Sequence, residues 1–364
     1  MPYPIDYFFD MPFYFPPATT ALLRALLIAV SAASLCVWLH TPLPWMIGPI
    51  VATAAARMAG IELRAPVQVR EAGQWAIGTA LGLYFTPAVL HVLSSYVGTI
   101  AVGVAFALLL GAGAGWLLHR LTGVDRTTTF FAMATGGASE MAVQGERHGG
   151  LVDRIAAAHS LRIMMVVVII PFGFKFAGVH GIDPFVQGAR VVDVPGLLAL
   201  IGLTCCGALL LRRLNWPNAW VIGPLLVAIA LTANSVNLSA LPQWIINCGQ
   251  LFIGVSLGTR FTPAFLHTAP CYLAGVALSA FSAILVAAGF GLLLGAWSGI
   301  HPATAILATS PGGIAEMSLT AKHLQLGVPI VTAFHVTRMA TLVLSIGPLF
   351  RLLQRWTSSR RIGA

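Results

Sequence analysis

A chain of 364 residues with 58% hydrophobic and only 9% charged side chains cannot surface a water-soluble domain of any size, because such domains carry about 25% charged residues. Its net charge of +9 comes from Lys and Arg scattered along the chain, with no continuous basic stretch, which excludes a nucleic-acid footprint and points to the orientation of a membrane protein. The five cysteines (Cys36, Cys205, Cys206, Cys248 and Cys271) lie in apolar segments without a C-x-x-C pair. They read as small buried hydrophobes, not as a disulfide framework or metal site.

Residues 1–19 are rich in proline and aromatics, among them Tyr3, Tyr7, Phe8, Phe9 and Phe13, and lack a basic leading region. They read as an interfacial lead-in and not as a cleaved signal. Six hydrophobic elements follow, near 20–39, 43–60, 69–86, 91–119, 127–148 and 151–178. A polar linker at 181–191 leads to six more, near 192–211, 217–234, 243–260, 264–298, 303–323 and 327–350. Residues 357–364 form a charged tail expected in the cytoplasm. Runs such as Val97–Leu118 and Ala274–Trp297 are long enough to cross a hydrocarbon core of about 30 Å. The expected class is an all-α polytopic membrane protein.

The second set of elements repeats the first. Gly73 to His91 returns as Gly249 to His267, with 12 of 19 positions identical at an offset of 176. Trp45-Met46-Ile47-Gly48-Pro49 returns as Trp220-Val221-Ile222-Gly223-Pro224. Gly136-Gly137-Ala138-Ser139-Glu140-Met141 returns as Gly312-Gly313-Ile314-Ala315-Glu316-Met317, and His159-Ser160-Leu161-Arg162 as His335-Val336-Thr337-Arg338. The units are 20–180 and 192–356. Duplicated halves with glycine-interrupted hydrophobic segments mark secondary transporters.

The fifth element of each half carries a mid-segment glycine pair, with Pro311 added in the second. Such an element is a broken spanning helix or a re-entrant hairpin, since irregular backbone at that depth survives only where protein or a watery cavity satisfies it. Two hairpins and a cytoplasmic N-terminus place most arginines on one side and leave Lys175, Arg190 and Lys322 on the other. Loop charge therefore favours five spans plus one hairpin per repeat. An odd number of spans inverts the second copy, giving ten spanning helices, two hairpins and both termini in the cytoplasm.

Glu140 and Glu316 fall three residues after the last glycine of each pair. There a restarting helix offers free N–H groups and a positive dipole end, suited to capping by the carboxylate or to holding a substrate anion. Thr135, Gly136 and Gly137, with Ser310, Gly312 and Gly313, would let backbone approach a solute. H-x-x-R puts His159 with Arg162, and His335 with Arg338, on one face of each sixth helix. An arginine near the bilayer centre costs at least about 2.5–3.5 kcal/mol and requires a partner. Glu140 and Glu316 are the expected partners, as a structural pin or as proton-coupling acids beside an anion-binding arginine. The histidines, with unperturbed pKa near 6.5, are either coupling groups or satisfied core residues. Gln74 and Gln250 follow helix-packing glycines and are candidate ligand contacts. No catalytic residue, cofactor or metal is expected, since no H-x-x-x-H, E-x-x-H or Cys/His cluster exists.

These duplicated W-x-I-G-P, G-Q-x-x-I-G-x-x-L-G, G-G-x-x-E-M and H-x-x-R blocks resemble the AbrB family of bacterial inner-membrane proteins, as two AbrB duplication units over about residues 20–356. The second unit has the family's Ser310-Pro311-Gly312-Gly313; the first, Ala134-Thr135-Gly136-Gly137, lacks the proline. The resemblance implies a bacterial inner-membrane location. Family labels include ammonia monooxygenase and regulator of gene expression. The preferred reading is a proton-coupled secondary transporter of a small anionic solute, with the lipid bilayer and the solute as partners, no nucleic acid, and homo-oligomerisation open. A membrane-bound regulator and a membrane monooxygenase are the alternatives.

Overall fold

The structure, a computed structural model, describes residues 17–362 except 183, 184, 186, 190 and 264–269. The lead-in before residue 17, Arg190 and the Ala264–His267 end of the repeated block lie outside the described residues. The described residues form fifteen helices and no strand. Six are long and apolar enough to cross a membrane: α1 (Pro17–Trp38), α5 (Val97–Thr122), α8 (Val152–Phe176), α9 (Val194–Arg213), α12 (Pro270–Ser298) and α15 (Val328–Ile362). They fall three to each half, at equivalent places.

Between them lie α2 (Pro44–Met58), α3 (Val67–Gly82), α10 (Ala219–Ala233) and α11 (Gln243–Gly258). The sequence reading counts these among ten spans. At 15 or 16 residues each, they reach about 22–24 Å at 1.5 Å per residue, short of the hydrocarbon core. The fourth element of the first half also differs from a single helix over 91–119. It starts with α4 (Pro87–Ser95), bent 85° from α3, and resumes as α5 after Tyr96. Thr86 accepts a hydrogen bond from the Val89 N–H and Pro87 occupies the first turn, a start signal that forces a new helix.

Glycines set how closely these short helices pack, and the contacts recur with the halves exchanged. A Cβ on Gly48 would meet the Ala32 carbonyl at 2.7 Å, and one on Gly223 the Ala208 backbone at 2.6 Å, seating α2 on α1 and α10 on α9. A Cβ on Gly78 would collide with the Val221 carbonyl, and one on Gly254 would meet the Met46 carbonyl at 2.8 Å, seating α3 on α10 and α11 on α2. Small residues permit this approach where lipid supplies no hydrophobic drive.

Equivalent helices also meet each other. Gly73 of α3 lies against Gly249 and Ile253, and Gly249 of α11 against Ala76 and Ile77. Advancing along one helix means retreating along the other, so the pair is antiparallel. α5 and α12 do the same. Gly275, near the start of α12, faces Thr122 at the end of α5, and Phe106 stacks on Phe290 midway, centroids 3.7 Å apart.

Gly78→Ala should therefore lower stability by about 1–3 kcal/mol, the range for overpacking. Gly98→Ala, with nothing within 4 Å of its new methyl, should change it by less than about 0.5 kcal/mol. Thermal unfolding of the two purified variants checks the contrast.

Candidate functional site

The fifth elements are hairpins. In the first half α6 (Arg126–Met133) stops and α7 (Ala138–Arg147) restarts after Gly137. In the second, α13 (Pro302–Thr309) stops and α14 (Ile314–His323) restarts after Gly313. Thr128 Oγ1, in the first turn of α6, accepts a hydrogen bond of 2.8 Å from the Leu151 N–H beyond α7. Thr304 Oγ1 accepts one of 3.2 Å from the Gly327 N–H. Both donor and acceptor shift by 176 residues. Two half-helices laid end to end would put these groups about 27 Å apart at 1.5 Å per residue, so each element returns to where it began.

Breaking a helix frees carbonyls on one side of the gap and N–H groups on the other. The sixth helices satisfy the carbonyls. Arg162 Nη1 of α8 donates to the Met133 and Ala134 carbonyls at 3.0 and 2.8 Å. Arg338 Nη1 of α15 donates to the Ser310 carbonyl at 2.7 Å, and its Nη2 donates to the Gly312 carbonyl. One turn earlier, His159 Nε2 meets the Phe131 carbonyl at 2.9 Å and His335 Nε2 the Leu307 carbonyl at 3.0 Å. Each arginine is thus a cation on the negative end of a half-helix.

This corrects the expected pairing of arginine with glutamate. Among the described residues the only carboxylate–cation contact within 4.0 Å joins Arg212 to Glu71. The glutamates serve the opposite end of each gap. Glu140 and Glu316 occupy the third position of α7 and α14 and fold back over Gly137 and Gly313, where a Cβ would collide with their Oε2 atoms. That is the capping-box position, an anion on a positive helix end.

Between the two hairpin tips is a cavity of about 100 Å³. Thr135, Gly136 and Gly137 of one tip and Gly312, Gly313 and Glu316 of the other line it, with Gln74, Arg162, His335 and Arg338. Buried polar atoms without a hydrogen-bond partner converge here: Arg162 Nε, Arg338 Nε, Thr135 Oγ1 and His335 Nδ1. The four side chains that carry them are no more than 6% exposed. Buried polar atoms left open in this way are expensive unless something occupies the space.

The remaining candidates fall elsewhere. Glu140 lines a neighbouring cavity of about 310 Å³ with Arg147 and Asn215, and its Oε2 has no partner. The Ser310 hydroxyl is committed to the Leu307 carbonyl at 2.8 Å. Gln250 is buried within α11 and is not part of the lining that Gln74 joins. His159 has both ring nitrogens committed, since Nδ1 receives Arg162 Nη2 at 3.1 Å. Protonating it would displace that bond, which fits a fixed core histidine.

Three polar lining residues escaped the sequence reading: Arg70, Asn218 and Arg260. Their place at the ends of the third elements, near 69–86 and 243–260, counts the two arginines with the charge facing the cytoplasm. The signal that finds them is their failure to repeat: Arg70 corresponds to Ile246 and Arg260 to Tyr84. Asn218 holds the left-handed position before α10, with φ 49°, where its counterpart is Leu43. Four arginines face one glutamate around the cavity, and the N-terminal ends of α7 and α14 add to the positive field. The arrangement is chemically suited to holding an anion.

If the guanidinium groups cap carbonyls and do not pin carboxylates, Arg338→Gln should destabilise the fold by about 2–4 kcal/mol, because two buried carbonyls lose their donors. Glu316→Gln should cost less than about 1 kcal/mol. Thermal unfolding that reverses this order would restore the acid–arginine pair.

Comparison with known proteins agrees with this architecture. Residues 45–354 match the model of a family described as "Transition state regulatory protein AbrB". A protein of Escherichia coli (strain K12) named "Putative regulator AbrB" is 24% identical over 325 residues, covering 88% of this chain and 93% of that protein. "Uncharacterized protein YhjN" of Bacillus subtilis (strain 168) is 28% identical over 302 residues, covering 77% of each. With a match over most of its length and six membrane-length apolar helices, the chain belongs to the AbrB family of multi-pass helical membrane proteins.

Proposed function

We propose that the chain is a secondary transporter that moves a small anionic solute together with protons, and that the cavity between the hairpin tips is its solute site. The observation that carries this reading is the convergence of four arginines, two half-helix N-termini and several unpartnered buried donors on one small space. Such a space is unfavourable empty and favourable around an anion. Helix breaks that meet near the bilayer midplane are the arrangement expected of carriers with internal repeats.

The antiparallel packing of α3 on α11 and of α5 on α12 supports the reading of two inverted repeats across a bacterial inner membrane, with both termini in the cytoplasm. Arg70 and Arg260 then mark the cytoplasmic mouth. Their counterparts Ile246 and Tyr84 are buried, at 2% and 9% exposed, and close the equivalent path on the far side. Exchanging these two environments is the alternation a carrier needs.

Arg162 and Arg338 contribute charge and one free Nε–H each while holding the hairpins in place. Glu316, which faces the cavity, is the acid placed to exchange a proton with the solute's arrival, whereas Glu140 faces away. A regulator, as the printed name of the Escherichia coli relative says of that protein, is the second reading, and a carrier that sets solute levels reaches gene expression indirectly. For the monooxygenase reading, no three His, Cys, Asp or Glu side chains gather into a metal-binding group among the described residues.

Proteoliposomes offered malonate, succinate, phosphate and sulfate under an inward proton gradient test the proposal. The wild-type protein should accumulate at least one of these anions. Glu316→Gln should still exchange it across the membrane but lose gradient-driven accumulation by at least about tenfold. Equal accumulation by both proteins would remove Glu316 from coupling, and none by the wild type would remove the transport reading.

A further inference from the structure

The cavity is asymmetric in a way that bears on the chemistry of its occupant. Its deep end is largely duplicated: hairpin tip and capping arginine line it from both halves, and of the two capping glutamates only Glu316 joins them. Its mouth is not. Arg70, in the first turn of α3, and Arg260, two residues past the end of α11, line the same cavity from opposite repeats. Antiparallel packing of α3 on α11 brings the start of one helix to the end of the other, which is why two residues so far apart in sequence share one opening.

The two guanidinium groups bring like charge to the lining of one small cavity. Neither makes a salt bridge within 4.0 Å among the described residues, and Glu316 is the one carboxylate in the lining they share. Like charges lining one half-buried opening are unfavourable unless an anion joins them there. The two ends offer separate sets of donors. The deep donors Arg338 Nε, Arg162 Nε and Thr135 Oγ1 surround the tips, whereas Arg70 lies one helical turn nearer the opening than Gln74. That step is about 6 Å along α3, and both side chains project from one face.

Resting on the anion-carrier reading above, we propose that the solute carries two anionic groups joined by a short backbone, one held among the deep donors of the hairpin tips and the other bridged by Arg70 and Arg260. The occupant is thus a small dianion of the dicarboxylate class. Arg70 and Arg260 are the specificity residues that separate it from monoanions. Gln74 is placed to hydrogen-bond the connecting segment. Planar guanidinium groups suit this task, because each offers two parallel N–H donors to a carboxylate.

The experiment is a thermal-shift titration of the purified full-length protein with malonate, succinate, butyrate and chloride at equal ionic strength. The proteins are the wild type and the Arg70→Gln/Arg260→Gln double variant. A ligand that binds only the folded state raises the unfolding midpoint with concentration, and this yields its apparent affinity. The wild type should bind malonate or succinate at least about tenfold more tightly than butyrate, a difference of about 1.4 kcal/mol. The double variant should bind dianion and monoanion alike, at the wild-type level for butyrate. Wild-type affinity for butyrate equal to that for both dianions, or full dianion affinity in the double variant, overturns the second subsite and leaves the anion site standing. No stabilisation of the wild type by any of the four overturns both. The ratio of the tighter dianion to butyrate in the wild type alone decides the question if the double variant does not fold.

Discussion

Peptide groups cannot be left unpaired inside a bilayer, and this constraint organises the protein. Each hairpin tip exposes carbonyls at the end of one half-helix and N–H groups at the start of the next, deep in a fold with no bulk water to receive them. Arg162 and Arg338 answer the carbonyls, and Glu140 and Glu316 fold back over the restarting turns. The H-x-x-R and G-G-x-x-E motifs are therefore two halves of one solution: a cation for the negative dipole end and an anion for the positive one. Charges that look functional by position are first of all what allows the backbone to break there.

Function grows out of what this solution leaves over. The arginines commit their Nη atoms and keep Nε free, His335 keeps one nitrogen free where His159 keeps none, and Glu316 faces the cavity where Glu140 does not. Duplication builds a scaffold in which each half holds the other. Departures from duplication then give the site a direction. The clearest are Arg70 and Arg260, whose counterparts are the buried Ile246 and Tyr84. A symmetric arrangement of the two halves needs no such difference between its two ends.

Much of this was legible in the sequence, for identifiable reasons. The duplication, the all-helical membrane class and the breaks at Gly136-Gly137 and Gly312-Gly313 follow from composition, periodicity and glycine chemistry, which act locally. That the breaks are hairpins was favoured by loop charge, and the Thr128–Leu151 and Thr304–Gly327 hydrogen bonds agree. The partners of the arginines were not legible. A buried arginine demands an acceptor, but sequence cannot say whether a carboxylate or a carbonyl provides it. Arg70 and Arg260 were hidden because position at the ends of the third elements counts them with the charge at the membrane surface, and only tertiary packing brings them to the cavity. The split of the fourth element at Tyr96 was missed although Thr86-Pro87 carries a helix-start signal, because hydrophobicity continues across it.

The central claim is that the two hairpin tips enclose an anion site. Its most direct test is anomalous scattering from crystals of the full-length protein grown in bromide. The account predicts an anomalous peak between Gly137 and Gly313, within hydrogen-bond reach of Arg338 Nε. Bromide peaks confined to the protein surface, with only water between the tips, would contradict it.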